Sequence, residues 1–210
     1  MAISTFNELK TAALEWSDAE GQIDDKLDEL VAMATHSFNF GAPGVPALRT
    51  RQMVTTTDLT PTASVCTLPT DYLQYRRVVE KASIRRELSY ITPSSVEDMY
   101  ADRGSGLANH FTIIGSSLRM FPLSSNAIEL TYFQKIPELT DAAPTNWLLT
   151  AHPSIYLQAT LMQIGVFMRH DDLIASSAQF ISSLVPGLQA ADVMANYAYA
   201  PSRPRGMVIA

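Results

Sequence analysis

The chain has 210 residues, of which 47% are hydrophobic and 17% charged, and its formal net charge is -6. This length and composition allow one sizeable core, so we expect one main domain with an elaboration. Proteins that grip nucleic acid by neutralising phosphates need a concentrated Lys/Arg surface, and a chain with 15 basic and 21 acidic residues does not favour one.

The single cysteine, Cys66, cannot form an internal disulfide, and the N-terminus lacks the basic and apolar segments of a signal peptide. We therefore expect synthesis in a reducing cytoplasm. The stretch 142–168 carries no formal charge, but prolines and polar residues interrupt it. Its apolar runs are shorter than the roughly 20 residues that span a bilayer, so it predicts a buried helix and no membrane insertion.

The first 40 residues have a helical period. Ser4 or Thr5 is placed to cap a first helix with an apolar face formed by Phe6, Leu9, Ala13 and Trp16. A second helix is predicted over 21–38, with an inward face formed by Ile23, Leu27, Leu30, Val31 and Ala34. Its other face carries Asp24, Asp25, Asp28 and Glu29. We predict that this acidic face lines a channel or meets a basic partner; a face that contacts solvent is the simpler interpretation.

The segment 41–47, rich in Gly and Pro, ends the helical period, and short β-branched or alternating runs follow. These runs predict a meander-like antiparallel sheet with a short helix at 94–100. The predicted strands are 48–57, 62–68, 77–80, 84–91, 110–114, 118–121 and 127–134. The arginine pairs at 76–77 and 85–86 are predicted to form ion pairs between subunits rather than a phosphate patch.

Helices return near residue 145. Thr145 or Asn146 is placed to cap a short helix, and Pro153 is placed to begin a longer one running to about residue 170. The longer helix is apolar all round, which predicts a central position. A last helix from about residue 172 has Pro186 and Gly187 as a predicted kink. Its predicted apolar face comprises Leu173, Phe180, Ile181, Leu184, Leu188 and Ala191.

Residues 196–210 contain two arginines, two tyrosines, two prolines and no acid. The prolines prevent a continuous helix, and an apolar run ends the segment, so we predict an extended docking tail; a frayed terminus is the simpler alternative. The predicted docking residues are Tyr197, Tyr199, Arg203, Arg205, Met207, Val208 and Ile209.

The sequence has no phosphate-binding loop, nucleophile elbow, zinc motif or calcium loop of recognised form, so we predict no catalytic residue, cofactor or metal. Cys66 lies in an alternating run, where a thiol packs as a small apolar group. The nearest group of metal-ligand types is 170–172, but adjacent helical residues point in different directions. A polar junction between helices is the simpler interpretation.

Several segments occur in an order that resembles a known family. They are FNELKTAALEW, LPTDYLQYRRV, LSYITPSSVEDMYADRG, FTIIGSSLRMFP and IELTYFQKIPELTDAAPTNWLLTAHPSIYLQATL. Together they resemble the adaptor proteins that join portal to tail in short-tailed phages and related viruses. The resemblance covers roughly residues 6–194, and 132–153 is its most specific part. The loop 41–47 and the Pro186-Gly187 pair depart from the family pattern.

The resemblance implies an α+β fold in which the N- and C-terminal regions form a helical bundle around an inserted antiparallel β-rich region. We expect a single adaptor domain at 1–195, helical over 1–40 and 145–195 and β-rich over 48–139, followed by an extended docking tail at 196–210.

In function, the resemblance implies a structural virion protein at the head–tail interface, not an enzyme. Twelve copies would form a ring beneath the portal, extend the DNA channel and receive the tail nozzle or tail fibres, with the C-terminal tail reaching into the portal. DNA would pass through without sequence-specific binding. Two other classes remain open: a small enzyme or ligand-binding protein, which needs a pocket with converging polar groups, and a DNA-packaging accessory, which needs a basic surface.

Overall fold

The computed structural model describes residues 3–102 and 104–197. Its elements fall into two compact units, a helical unit formed by Met1–Gln52 with Ile136–Ala210 and a β unit formed by Met53–Lys135. The fold is α+β, with helices in the N- and C-terminal regions and a β-rich insertion between them. This confirms the predicted fold class.

Helix α1 (Phe6–Ser17) begins at a capping box. The Thr5 hydroxyl accepts the backbone N–H of Glu8 at 3.3 Å, and the Glu8 carboxylate accepts the N–H of Thr5 at 3.0 Å. Hydrogen bonds that the carboxylate accepts from the backbone N–H and hydroxyl of Ser4, and to a lesser extent from Thr5, hold the pKa of Glu8 below its usual value. The helix ends where Asp18 adopts a left-handed conformation.

Helix α2 (Leu27–Phe40) begins later than predicted, because residues 21–26 form turns. Asp24 belongs to these turns and accepts the backbone N–H of Gly21 at 3.2 Å. The predicted inward residues are nevertheless all buried, namely Ile23, Leu27, Leu30, Val31 and Ala34. The apolar period thus predicts the buried residues of this region, and it extends beyond the helix into the preceding turn.

The C-terminal helices are α4 (Trp147–Ala151), α5 (Pro153–Met168) and α6 (Asp171–Tyr197). Asn146 caps α4 by accepting the N–H of Leu149 at 2.9 Å, which confirms one of the two predicted caps. Helix α5 packs against α1, α2 and α6 and is buried on several sides, as its apolar composition predicts.

The side chain of Tyr156 on α5 is fully buried at the centre of the helical unit. Its hydroxyl forms a hydrogen bond with the Thr35 hydroxyl of α2 and lies 3.5 Å from the Asn146 amide nitrogen. Its ring meets the ring of Phe38 edge-on at a centroid distance of 5.4 Å. Tyr156 thus joins α2, α5 and the start of α4.

Some predicted core positions are exposed. Trp16 is 63% exposed, because the inward position in the last turn of α1 is occupied by Ser17, whose hydroxyl donates to the Ala13 carbonyl oxygen at 2.7 Å. Phe180 is 42% exposed. The buried positions of α6 recur every four residues instead, at Ser177, Ile181 and Val185.

Within its described residues, 53–102 and 104–135, the β unit contains eight strands and the short helix α3 (Pro93–Met99). One sheet has the order β1-β8-β3-β4 and the other β2-β7-β6-β5. The strands are β1 (Val54–Leu59), β2 (Val65–Thr67), β3 (Tyr72–Glu80), β4 (Arg86–Glu87), β5 (Ser89–Tyr90), β6 (His110–Ile114), β7 (Ser117–Phe121) and β8 (Ile128–Gln134).

The predicted single meander is wrong. Strand β1 pairs with β8, which is distant in sequence, and β5 pairs with β6 in parallel. Alternating hydrophobicity identifies strands but not their partners, so sequence periodicity carried no information on this arrangement. Side chains from both sheets form one apolar cluster, which includes Phe111, Leu118, Leu130 and Tyr132.

Candidate interaction surfaces

The last turns of α6 are anchored at Asp192. The backbone N–H of Arg51 donates to both carboxylate oxygens of Asp192, at 3.0 and 3.1 Å, and the Arg51 Nε lies 3.7 Å from one of them. The next residues, Val193 and Met194, are 54% and 71% exposed. Helix α6 is therefore fixed at Asp192 and presents apolar side chains to solvent just before the predicted tail.

A small cavity of about 170 Å³ lies beside these turns, with Thr50, His152 and Leu188 among its lining residues. The Thr50 hydroxyl is buried and has no hydrogen-bond partner among the described residues. Burial lowers the pKa of His152. The cavity is thus a cleft beside the last turns of α6.

The structure shifts the start of the predicted tail. Asn196 and Tyr197, which we assigned to the extended segment, belong to the backbone of α6. The helix continues because the first proline of the segment, Pro201, lies beyond it. The remaining predicted docking residues lie outside the described part of the chain: Tyr199, Arg203, Arg205, Met207, Val208 and Ile209.

The four predicted acids are exposed but do not share one helix face. Asp24 and Asp25 lie in the turn before α2, whereas Asp28 and Glu29 lie in its first turn. Lysine side chains pair with the two helical acids: Lys10–Asp28 at 3.0 Å and Lys26–Glu29 at 3.3 Å. Part of the predicted negative charge is thus neutralised within the chain.

Exposed apolar side chains also mark the helical unit. On α2, Met33 is 54% and Phe40 53% exposed, and the His36 ring lies 4.6 Å from the Phe40 ring. Spacings of three and four residues place these side chains on one helix face. Trp16 of α1 borders a groove of about 350 Å³ along its own helix and one of about 620 Å³ beside the start of α6. Exposed apolar side chains on one helix face, such as Met33 and Phe40, are candidates for protein–protein contact.

Two arginines of the β unit form ion pairs with acids of the same unit. Arg77 pairs with Glu87 at 3.1 Å, and Arg85 pairs with Glu129 at 2.5 Å, both within the unit. These two arginines therefore have acidic partners within the chain. The ion pairs between subunits predicted for the arginines at 76–77 and 85–86 stay a prediction.

The described residues offer little chemistry. Burial raises the pKa of the Cys66 thiol to about 11, so the thiolate that nucleophilic catalysis requires is disfavoured. Within 3–102 and 104–197, no three His, Cys, Asp or Glu side chains gather as metal ligands would. None of the described helices combines the length and apolar character needed to cross a bilayer.

Comparison with known proteins bears on the whole chain. No curated protein matches it. A family model described as SU10 adaptor protein matches residues 4–205, which include both units and part of the predicted tail. The chain therefore belongs to the SU10 adaptor protein family, a phage head-to-tail adaptor family of structural virion proteins.

Proposed function

We propose that copies of this chain form a ring that joins the portal to the tail and extends the DNA channel. The observation that carries the proposal is the family match over residues 4–205. Twelve copies, a portal ring above and a tail nozzle or tail fibres below are part of the same proposal. The protein would be made in the host bacterial cytoplasm and would act at the head–tail interface of the virion.

The C-terminal tail is the proposed portal-docking element. Helix α6 supports this role because its end is fixed by Asp192 and its last turns expose Val193 and Met194. Ordering each free residue costs about 1 to 2 kcal/mol, so one tail alone binds weakly. Identical tails repeated around a ring bind more strongly because each bound tail raises the effective concentration of the next.

Deleting residues 198–210 tests the docking proposal while leaving α6 complete. We expect an unchanged urea midpoint and a loss of retention on immobilised portal rings. The full-length R203A/R205A variant separates the contribution of the arginines from that of the rest of the tail. It is expected to bind less tightly than the parent, and its binding is expected to weaken less steeply as the salt concentration rises. Undiminished retention of the truncated chain would contradict the proposal.

The acids Asp24, Asp25, Asp28 and Glu29 are proposed to face the DNA channel or a basic partner. Four carboxylates against the two lysines that pair with them leave a negative surface. A negative wall repels phosphate and lets DNA pass without sequence-specific binding. Replacing all four acids with their amides is expected to slow DNA ejection if they line the channel, and to weaken partner binding if they do not. If DNA ejection and partner binding are both unchanged in this variant, the four acids have neither of the two proposed roles.

A further inference from the structure

The β unit contains a cavity of about 270 Å³ between α3 and the second sheet, formed by β2, β7, β6 and β5. Successive side chains of a strand point to opposite faces of its sheet. On β6 and β7, the side chains of Phe111, Leu118 and Met120 belong to the apolar cluster. The residues between them therefore lie on the other face, toward α3. Thr112 and Arg119 are two of these residues, and both line the cavity.

Thr112 and Arg119 are direct partners in the antiparallel pair of β6 and β7. The Cβ atoms of such partners lie about 4.5 to 5.5 Å apart, so both side chains can bind one small group. On its other side, Arg119 is the partner of Val65 of β2, which also lines the cavity. The register thus places a hydroxyl, a guanidinium and an apolar side chain next to one another on one face.

The two polar side chains have unused hydrogen-bonding capacity. Thr112 is 1% exposed, and its hydroxyl has no hydrogen-bond partner among the described residues. Buried hydroxyls are rarely left in this state, because an unsatisfied polar group is destabilising. The Arg119 guanidinium forms no hydrogen bond or ion pair with any described residue, whereas Glu97, the acid of the lining, already has an interaction partner.

The rest of the lining is mainly apolar and includes Val96 of α3, Phe121 of β7 and Leu123. Apolar walls with a few polar groups that fix orientation are typical of small-molecule sites. At about 30 Å³ for each water molecule of liquid, the cavity has the volume of roughly nine waters. A short hydrocarbon chain or a single ring with one polar group has about this size.

We propose that this cavity binds a free monocarboxylate with a short apolar body, such as a medium-chain fatty acid. The carboxylate accepts hydrogen bonds from the planar guanidinium of Arg119 and from the Thr112 hydroxyl. The apolar body packs against Val65, Val96 and Phe121. An alcohol leaves the Arg119 charge unpaired, and an amine is repelled by it.

The size of the cavity favours a free molecule over an acidic side chain of another protein. The stem of an aspartate or glutamate is too short to pair with Arg119 and also cover the apolar wall. The inference goes beyond the proposed function, because it concerns a single copy of the chain. A bound ligand touches both α3 and the second sheet, so it stabilises the β unit in proportion to its occupancy.

Titration of the full-length protein with octanoate tests the proposal. Calorimetry is expected to show saturable binding of a single octanoate, and the largest changes in backbone amide NMR shifts are expected at the cavity lining, including Thr112 and Val96. Octanol has the same chain without the charge and is expected to bind about 10-fold more weakly or less. Butyrate is expected to bind more weakly than octanoate because it buries less apolar surface.

Two variants separate the roles of the polar side chains. R119Q removes the charge and is expected to weaken octanoate binding about 10- to 100-fold. R76Q is the matched control, on an exposed arginine of β3 outside the cavity lining, and should leave the affinity unchanged. T112V is expected to weaken binding about 2- to 10-fold while the ligand-free protein melts at the same or a higher temperature, because an unsatisfied hydroxyl is removed. A purely structural role of Thr112 would change the melting temperature alone.

Several outcomes would overturn the proposal. They are no saturable binding at millimolar octanoate, equal affinities of R119Q and R76Q, equal affinities of octanol and octanoate, and shift changes confined to residues outside the lining. If T112V does not fold, R119Q and the octanol comparison still decide. None of these measurements involves ring assembly, so a negative result leaves the proposed function unchanged.

Discussion

The two units differ in the distance along the chain between residues that stabilise each other. In the helical unit, buried side chains recur every three or four residues along α2 and α6, and α5 is apolar and buried on several sides. In the β unit, β1 is paired with β8 and the register joins Val54 to Phe133. Local periodicity therefore reports most of the helical core, whereas the sheets depend on pairings that only the folded chain specifies.

The two cores also differ in the charge and hydrogen bonding of their buried polar side chains. Buried polar side chains of the helical unit are neutral, and Thr35 and Thr160 satisfy theirs by donating to carbonyl oxygens one helical turn earlier. The β unit buries a carboxyl group, Glu80, whose Oε1 accepts hydrogen bonds from Ser124 at 2.5 Å and Asn126 at 3.0 Å. Glu80 Oε2 has no partner among the described residues. Truncating each core should therefore have different consequences.

The largest expected effect is in the helical unit. Replacing Tyr156 with alanine removes a fully buried ring and its bond to Thr35, and we expect a loss of about 3 to 5 kcal/mol in the free energy of unfolding. Urea unfolding followed by circular dichroism measures it. Trp16→Ala is the control and should change stability by less than about 0.5 kcal/mol, because Trp16 is exposed. If Tyr156→Ala lowers the free energy of unfolding by less than about 1 kcal/mol, the stability of the helical unit does not depend on the contacts of Tyr156.

A smaller effect is expected at Glu80. Alanine there leaves the Ser124 hydroxyl and the Asn126 amide without their acceptor, and we expect a loss of about 1 to 3 kcal/mol in unfolding free energy. Glutamine keeps an acceptor oxygen and should cost less. Thermal unfolding of both variants gives the comparison. An alanine variant as stable as the parent would mean that burying the carboxyl group costs as much as its hydrogen bonds contribute.

The sequence predicted features that depend on the local chemistry of one residue, such as the start of a helix. The cap at Asn146 and the start of α5 at Pro153 follow from local chemistry and were predicted. The exposure of Trp16 was missed because an apolar period does not show that the polar Ser17 occupies the inward position in the last turn of α1. A cavity of the β unit lined by Val65, Val96 and Phe121 was missed for a different reason: these side chains meet only after the second sheet and α3 have formed. Hydrophobic periodicity does not predict contacts between residues that are distant in sequence.

The smallest expected effects concern the ion pairs, one in each unit. In the helical unit, the Asp28 side chain is 63% exposed, so Asp28→Asn should change unfolding free energy by less than about 0.5 kcal/mol. In the β unit, the Glu129 side chain is 24% exposed, and Glu129→Gln should cost somewhat more, up to about 1 kcal/mol, because its pair with Arg85 is less screened by water. Urea titrations of both variants at low and high salt measure the difference, which should shrink as salt rises.

Which of these two variants loses more unfolding free energy decides how the role of Asp28 in assembly can be tested. If Asp28→Asn is silent in stability, any loss of assembly or ejection in that variant reports an interaction rather than unfolding. If Asp28→Asn is instead the more destabilising of the two, the pair with Lys10 holds α1 against α2. The acid would then be structural, and its proposed place on the channel or partner surface would be withdrawn.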